Sequence, residues 1–188
     1  MENNMSKDIE KILFSEEQLK NRVKEVGAEI SRDYKDKNPL LVGILKGSIV
    51  FMADLIRAID IPCQIAFLSV RSYGLKAASS GKIDMDGDID YALGTRAEGR
   101  HIILVEDILD TALTLNTVSS RIKELNPASV KICALLDKQV QRNIDLHADY
   151  KCFDVENEFV VGYGLDYAQD YRNLPYIGVL KREVYSGD

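Results

Sequence analysis

Polar residues Ser15-Glu16-Glu17-Gln18 precede apolar residues at Leu19, Val23, Val26 and Ile30. The spacing predicts one face of a helix, and the serine with a glutamine three residues on predicts a capping box at its start. Asn38-Pro39 ends this region, and Leu40 to Leu45 is a short apolar run of the kind found in buried parallel strands. Lys46-Gly47-Ser48 turns the chain into a mostly apolar helix, Ile49 to Ile59, followed by a strand from Gln64 to Val70. His101 to Val105 is a third strand and Leu113 to Leu125 a helix with Leu115, Val118, Ile122 and Leu125 on one face. Val130 to Leu136, Phe159 to Tyr163 and Tyr176 to Leu180 complete the strands. Strands alternating with helices predict an α/β fold, a doubly wound and mostly parallel sheet, in which ligands bind beyond the carboxyl ends of the strands. Attention therefore falls on the turns at 46–48, 106–114 and 137–142.

One stretch breaks the pattern. Residues 74–99 hold five of the twelve glycines, as expected of a functional lid or a disordered loop. Asp84, Asp86, Asp88 and Asp90 alternate there with Ile83, Met85, Gly87, Ile89 and Tyr91. The glycine and terminal glutamate of a calcium loop are misplaced, so a solvated hairpin turning at Asp86-Gly87 is the expectation.

At 188 residues the chain suits one domain with a core that needs no staples. The net charge of -6 disfavours a nucleic-acid or anionic-membrane partner. Cys63, Cys133 and Cys152 have no metal or redox spacing, and their odd number fits a reducing cytoplasm. The polar N-terminus is not expected to be a signal peptide, and no apolar run is long enough to span a membrane. His101 and His147 have no metal-spaced partner and receive no role.

The chemistry concentrates in Ile103-Leu104-Val105-Glu106-Asp107-Ile108-Leu109-Asp110-Thr111-Ala112-Leu113-Thr114. A buried strand runs into two adjacent carboxylates and a third, then small and hydroxyl residues open a helix. The helix tip suits a phosphate, through free amides, dipole and hydroxyls. Carboxylates beside a phosphate site need something to accept their charge: magnesium, or the hydroxyls of a ribose. An acidic helix cap is the bland alternative. The P-loop pattern is absent.

This segment resembles the phosphoribosyl pyrophosphate (PRPP) signature of the type I phosphoribosyltransferase family, apolar residues followed by E-D-x-x-D-T-G-x-T. Leu45-Lys46-Gly47-Ser48 resembles its pyrophosphate loop, Ser72-Tyr73-Gly74 its mobile loop and Leu136-Asp137-Lys138 its base-recognition lysine segment. Phe159 to Tyr167, with Tyr171 to Tyr176, resembles the closing base and pyrophosphate segment of the hypoxanthine-guanine branch. The likeness runs from about residue 8 to 182. It implies one domain over 1–188, with a core of about 8–140 and a small C-terminal hood of about 141–182.

The resemblance implies transfer of a phosphoribosyl group from PRPP to hypoxanthine or guanine, with Mg2+. Glu106 and Asp107 would face ribose and metal, Asp110 would act as general base, and Thr111, Ala112, Leu113 and Thr114 would cradle the 5'-phosphate. Lys138 would bond the purine 6-oxygen, Phe159 would stack on the purine and Val160 would present backbone to its edge. Asp166 would approach a second metal. Lys46, Gly47 and Arg172 would hold pyrophosphate, with a cis peptide at Leu45-Lys46, and Ser72 and Tyr73 would close a lid. A cytoplasmic homodimer or homotetramer is implied. Ala112 stands where the family has glycine; Arg71 and the 75–97 loop also depart from its pattern. A PRPP-sensing regulator of the same fold and a transferase preferring another base, such as xanthine or a pyrimidine, are the rival readings; a generic nucleotide-binding α/β protein is a third.

Overall fold

The capping box at Ser15 closes in both directions in the computed structural model, which describes residues 4–69, 86–138, 144 and 146–186. The Gln18 amide donates to Ser15 Oγ and the Ser15 amide donates to Gln18 Oε1, starting α1 (Glu16–Asp33). Leu19, Val23, Val26 and Ile30 are buried as the spacing predicts. Each such side chain contributes about 1.5–3 kcal/mol relative to leaving it in water. Helix α2 (Ile49–Ala58) meets α1 at Gly27, where a Cβ would overlap Ala58.

Eight strands are described: β1 (Ile9–Phe14), β2 (Leu40–Leu45), β3 (Gln64–Ser69), β4 (His101–Leu109), β5 (Ser129–Lys138), β6 (Tyr150–Val155), β7 (Val160–Val161) and β8 (Ile177–Leu180). Five form a wholly parallel sheet in the order β3-β2-β4-β5-β6. Helix α2 connects β2 to β3 and joins α1 over one face, with Leu41, Ile103, Val105, Cys133 and Leu135. Helix α4 (Leu113–Lys123) connects β4 to β5 over the other, with Leu40, Val42, Ile102, Leu104 and Ala134. The sheet is doubly wound, as expected. The two crossovers leave in opposite directions between β2 and β4, which opens a crevice at their carboxyl ends. Arg22 of α1 donates to the Lys151 and Cys152 carbonyls and so covers part of the β6 edge.

Three expectations need correction. The Asp86-Gly87 hairpin is instead helix α3 (Asp86–Ala92). Ile89 and Leu93, four residues apart, are buried against the sheet while Tyr91 lies in water, so helical period wins over the two-residue alternation. The strands near 159–163 and 176–180 do not extend the parallel sheet. They are the short β7 and β8, antiparallel to each other, and β1 pairs with β8 to complete a separate three-stranded sheet. That small sheet therefore draws on both ends of the chain. Finally, the acidic residues after Val105 are not a turn, because β4 continues to Leu109. A short C-terminal helix, α5 (Arg182–Tyr185), follows β8. No helix among the described residues is long and apolar enough to cross a membrane.

Candidate active site

Strand β2 ends before β4 does. Their last shared register is Gly43 with Val105, whereas β4 stays paired to β5 through Leu109 with Asp137. Glu106 onward thus has β5 on one flank and an open crevice on the other. That crevice is a cleft of about 930 Å3. Its walls are the Lys46-Gly47 loop, the run from Glu106 to Leu115, and Asp166, Gln169 and Arg172 of the C-terminal loop.

Glycine at position 47 follows from the packing. A Cβ there would overlap the Asp107 carboxylate, so only glycine lets the loop after β2 lie against β4. The Leu45–Lys46 peptide bond is cis, as the resemblance implies. The Lys46 ammonium donates to Gln169 Oε1 at 3.1 Å.

Burial, then the charge and hydrogen bond of Asp107, push the Glu106 carboxyl well above its ordinary range. Burial also raises Asp107, opposed by hydrogen bonds from Glu106 and the Ile108 amide and by the Arg172 charge. The Ile108 amide donates to Asp107 Oδ1 at 2.8 Å. Two adjacent carboxyls short of solvation are poised to take a cation or a row of hydroxyls. Among the described residues no group of three or more metal-ligating side chains gathers. Asp166 stands apart from the pair: its Oδ1 lies 2.7 Å from Arg172, and its Oδ2 accepts from the Gln169 amide.

Beyond Leu109 the chain bends through Asp110 and Thr111 into α4. Ala112 is the N-cap, left-handed at φ 64°, and provides no side-chain cap. The first amides of α4 therefore have no intrahelical acceptor, and no acidic residue occupies its first turn. Such a tip attracts an anion. The β4–β5 register carries Asp110 to the level of Lys138, and Lys138 Nζ lies 3.2 Å from Asp110 Oδ2.

The structure brings together Lys46, Gly47, Glu106, Asp107, Asp110, Thr111, Ala112, Leu113, Thr114, Asp166 and Arg172 on one cleft. Lys138 joins it through Asp110. Phe159 and Val160 are not part of its wall. Val160 is buried in β7, and the half-exposed Phe159 ring stacks on Tyr185, centroids 4.8 Å apart, with Tyr167 edge-on at 5.6 Å. Ser72 and Tyr73, like Arg71, lie outside the described residues. Sequence reasoning missed Gln169 and Ser69. Gln169 accepts from Lys46 and, at 3.4 Å, from Arg172, and nothing local marks it beyond its place between Asp166 and Arg172.

The chain is similar to known proteins along nearly its whole length. A hypoxanthine-guanine phosphoribosyltransferase of Streptococcus pneumoniae is 50% identical over 182 residues, 97% of this chain and 99% of that one. A Staphylococcus aureus hypoxanthine phosphoribosyltransferase structure superposes with a TM-score of 0.90 at 43% identity, covering 98% of each chain. A Trypanosoma cruzi hypoxanthine phosphoribosyltransferase mutant, solved in a ternary substrates complex, gives 0.86 at 44%, covering 95% of this chain and 99% of that one. Residues 11–168 match the family model described as phosphoribosyl transferase domain, and the chain belongs to that family.

Proposed function

We propose that this chain is a purine-salvage enzyme, a hypoxanthine-guanine phosphoribosyltransferase, which moves the 5-phosphoribosyl group of PRPP to hypoxanthine or guanine and releases pyrophosphate. One observation carries the reading. A single cleft holds an anion-ready helix tip, a desolvated carboxyl pair and an arginine-glycine clamp. Those three features match a phosphate, a ribose and a pyrophosphate in series.

The 5'-phosphate sits on the α4 amides with the Thr111 and Thr114 hydroxyls. Glu106 and Asp107 accept the ribose hydroxyls. The Lys46-Gly47 backbone and the Arg172 fork take the pyrophosphate. The purine lies beside that cleft rather than within its wall, stacked on Phe159 with its edge on the Val160 backbone. Lys138 donates to the 6-oxygen, which favours oxopurines over adenine, whose 6-amino group is itself a donor. As pyrophosphate departs, positive charge grows at the ribose and the nearby carboxylates stabilise it. Asp110 removes the proton of the attacking purine nitrogen, and Ser72 and Tyr73 exclude water.

The donor set suits magnesium. Two adjacent carboxylates, with Asp166 apart, fit an ion that keeps most of its ligands as water and phosphate oxygens. When bound, it neutralises pyrophosphate charge and orients PRPP. The working form is a homodimer or homotetramer.

The test is pyrophosphate release from PRPP with hypoxanthine, guanine, xanthine and adenine in turn, with and without magnesium. The reading expects release with the first two, dependent on magnesium. Tight PRPP binding without release would make the chain a sensor. Asp110→Asn should lower kcat by about 100-fold or more, and near-normal turnover would remove Asp110 from the role.

A further inference from the structure

Arg172 reaches the cleft from a loop whose backbone is unusually constrained. Gly162, Tyr163 and Gly164 have φ of 99°, 51° and 106°, three left-handed residues in succession. Glycine adopts this freely; tyrosine does not, so something must hold Tyr163 there. Gly164 is pressed against the pyrophosphate-loop backbone, because a Cβ on it would overlap the Gly47 carbonyl oxygen. Its own carbonyl accepts from Arg172 Nη1 at 2.7 Å. The position of Arg172 relative to Gly47 therefore depends on where residues 163 and 164 are fixed.

Tyr163 is buried in the α1/α2 core, and its hydroxyl donates to Asp54 Oδ2 at 2.5 Å. Asp54 lies on α2, the helix that begins directly after the Lys46-Gly47-Ser48 turn. Its other oxygen holds Arg57 at 2.5 Å. Burial, then the bond to Asp54, push the Tyr163 phenol far above its ordinary value, so it remains a donor at any working pH.

We propose that Tyr163 and Asp54 are a positioning pair: their hydrogen bond latches the C-terminal loop onto α2 and so sets Arg172 against the Lys46-Gly47 backbone. Neither residue touches substrate. The latch rests on the reading of this cleft end as the pyrophosphate subsite, and it predicts an effect confined to that end.

Steady-state kinetics with calorimetric binding of magnesium pyrophosphate test it on Tyr163→Phe, Asp54→Ala, Asp54→Asn and the Tyr163→Phe/Asp54→Ala double variant. A hydrogen bond to a charged acceptor corresponds to roughly tenfold or more in an equilibrium constant. Tyr163→Phe and Asp54→Ala should therefore each weaken pyrophosphate binding and raise KM for PRPP about tenfold, with KM for hypoxanthine changed less than about twofold. Asp54→Asn keeps an acceptor and should stay near wild type. The double variant should be no worse than either single, since both break one contact. Unchanged pyrophosphate binding in Tyr163→Phe, or equal losses for both substrates, would overturn the latch while leaving the transferase reading intact. Failure of the wild-type chain to bind PRPP or magnesium pyrophosphate would instead overturn that reading, and the latch with it.

Discussion

Ala112→Gly tests whether the alanine in the phosphate cradle impairs the site. Position 112 is left-handed, at φ 64° and ψ -1°, a conformation that costs an L-residue with a Cβ about 1–2 kcal/mol. The residue is 5% exposed and belongs to the cluster on the α4 face of the sheet with Leu109 and Leu115. Removing its methyl group forfeits about 0.8 kcal/mol of burial. The two terms nearly cancel, leaving a net gain of about 0–1 kcal/mol, or a rise in Tm of about 0–4 °C for a chain of this size. The amides around position 112 already have the conformation glycine would adopt, and the residue belongs to that buried cluster. KM for PRPP should therefore change by less than about threefold, since no contact made only to substrate is gained or lost. Differential scanning calorimetry and PRPP titrations on the two proteins measure both quantities. A tenfold or greater fall in KM for PRPP would show that the methyl obstructs the phosphate and would refute this account. Ala112→Val is the opposite control, because a β-branched residue does not tolerate this φ and should displace the cradle.

Three further outcomes follow from the geometry. Gly47→Ala drives a methyl into the Asp107 carboxylate and should lower kcat/KM for PRPP by about 100-fold, the scale of an ångström misplacement, with circular dichroism showing the fold intact. Glu106→Gln should raise Tm of the ligand-free protein at neutral pH while weakening PRPP binding. Because burial and Asp107 raise the Glu106 carboxyl above its ordinary 4.5, the folded chain prefers it protonated. That stability is fully present below pH 4.5 and is lost as pH rises through the folded value, so the Tm gain should vanish in acid. Alkylation by iodoacetamide, followed by mass spectrometry, should reach Cys63 first. Burial pushes the Cys152 thiol up to about 12 and raises Cys133, also buried, well above the thiol range, so early labelling of either would contradict the packing.

Much of this molecule is legible along the chain because its signals are local. The capping box and the three- and four-residue spacing of α1 each depend only on neighbours in sequence, and both are realised. The runs of β2, β4 and β5 are apolar because a parallel strand is covered on both faces, which demands continuous burial wherever the strand lies in the sheet. The acidic segment ahead of α4 is equally local, since carboxylates followed by hydroxyl residues at a helix start state their chemistry without reference to the rest of the fold.

Other features are decided by contacts between distant segments. Strand β1, interrupted by Glu10 and Lys11, has only the short apolar stretch Ile12-Leu13-Phe14 to announce it; it forms because β8 offers an edge. Helix α3 was hidden by alternating aspartates, and only the surface that receives Ile89 and Leu93 selects helical period there. Gly47 looks like an ordinary turn glycine until Asp107, sixty positions away in the chain, occupies the space of its missing Cβ. The left-handed φ at Ala112, the salt bridge of Lys138 with Asp110 and the Tyr163–Asp54 bond all arise where a strand end meets another element. Sequence periodicity records which side of an element is buried. It carries no record of what lies opposite, and the reach of each side chain across the cleft is set there.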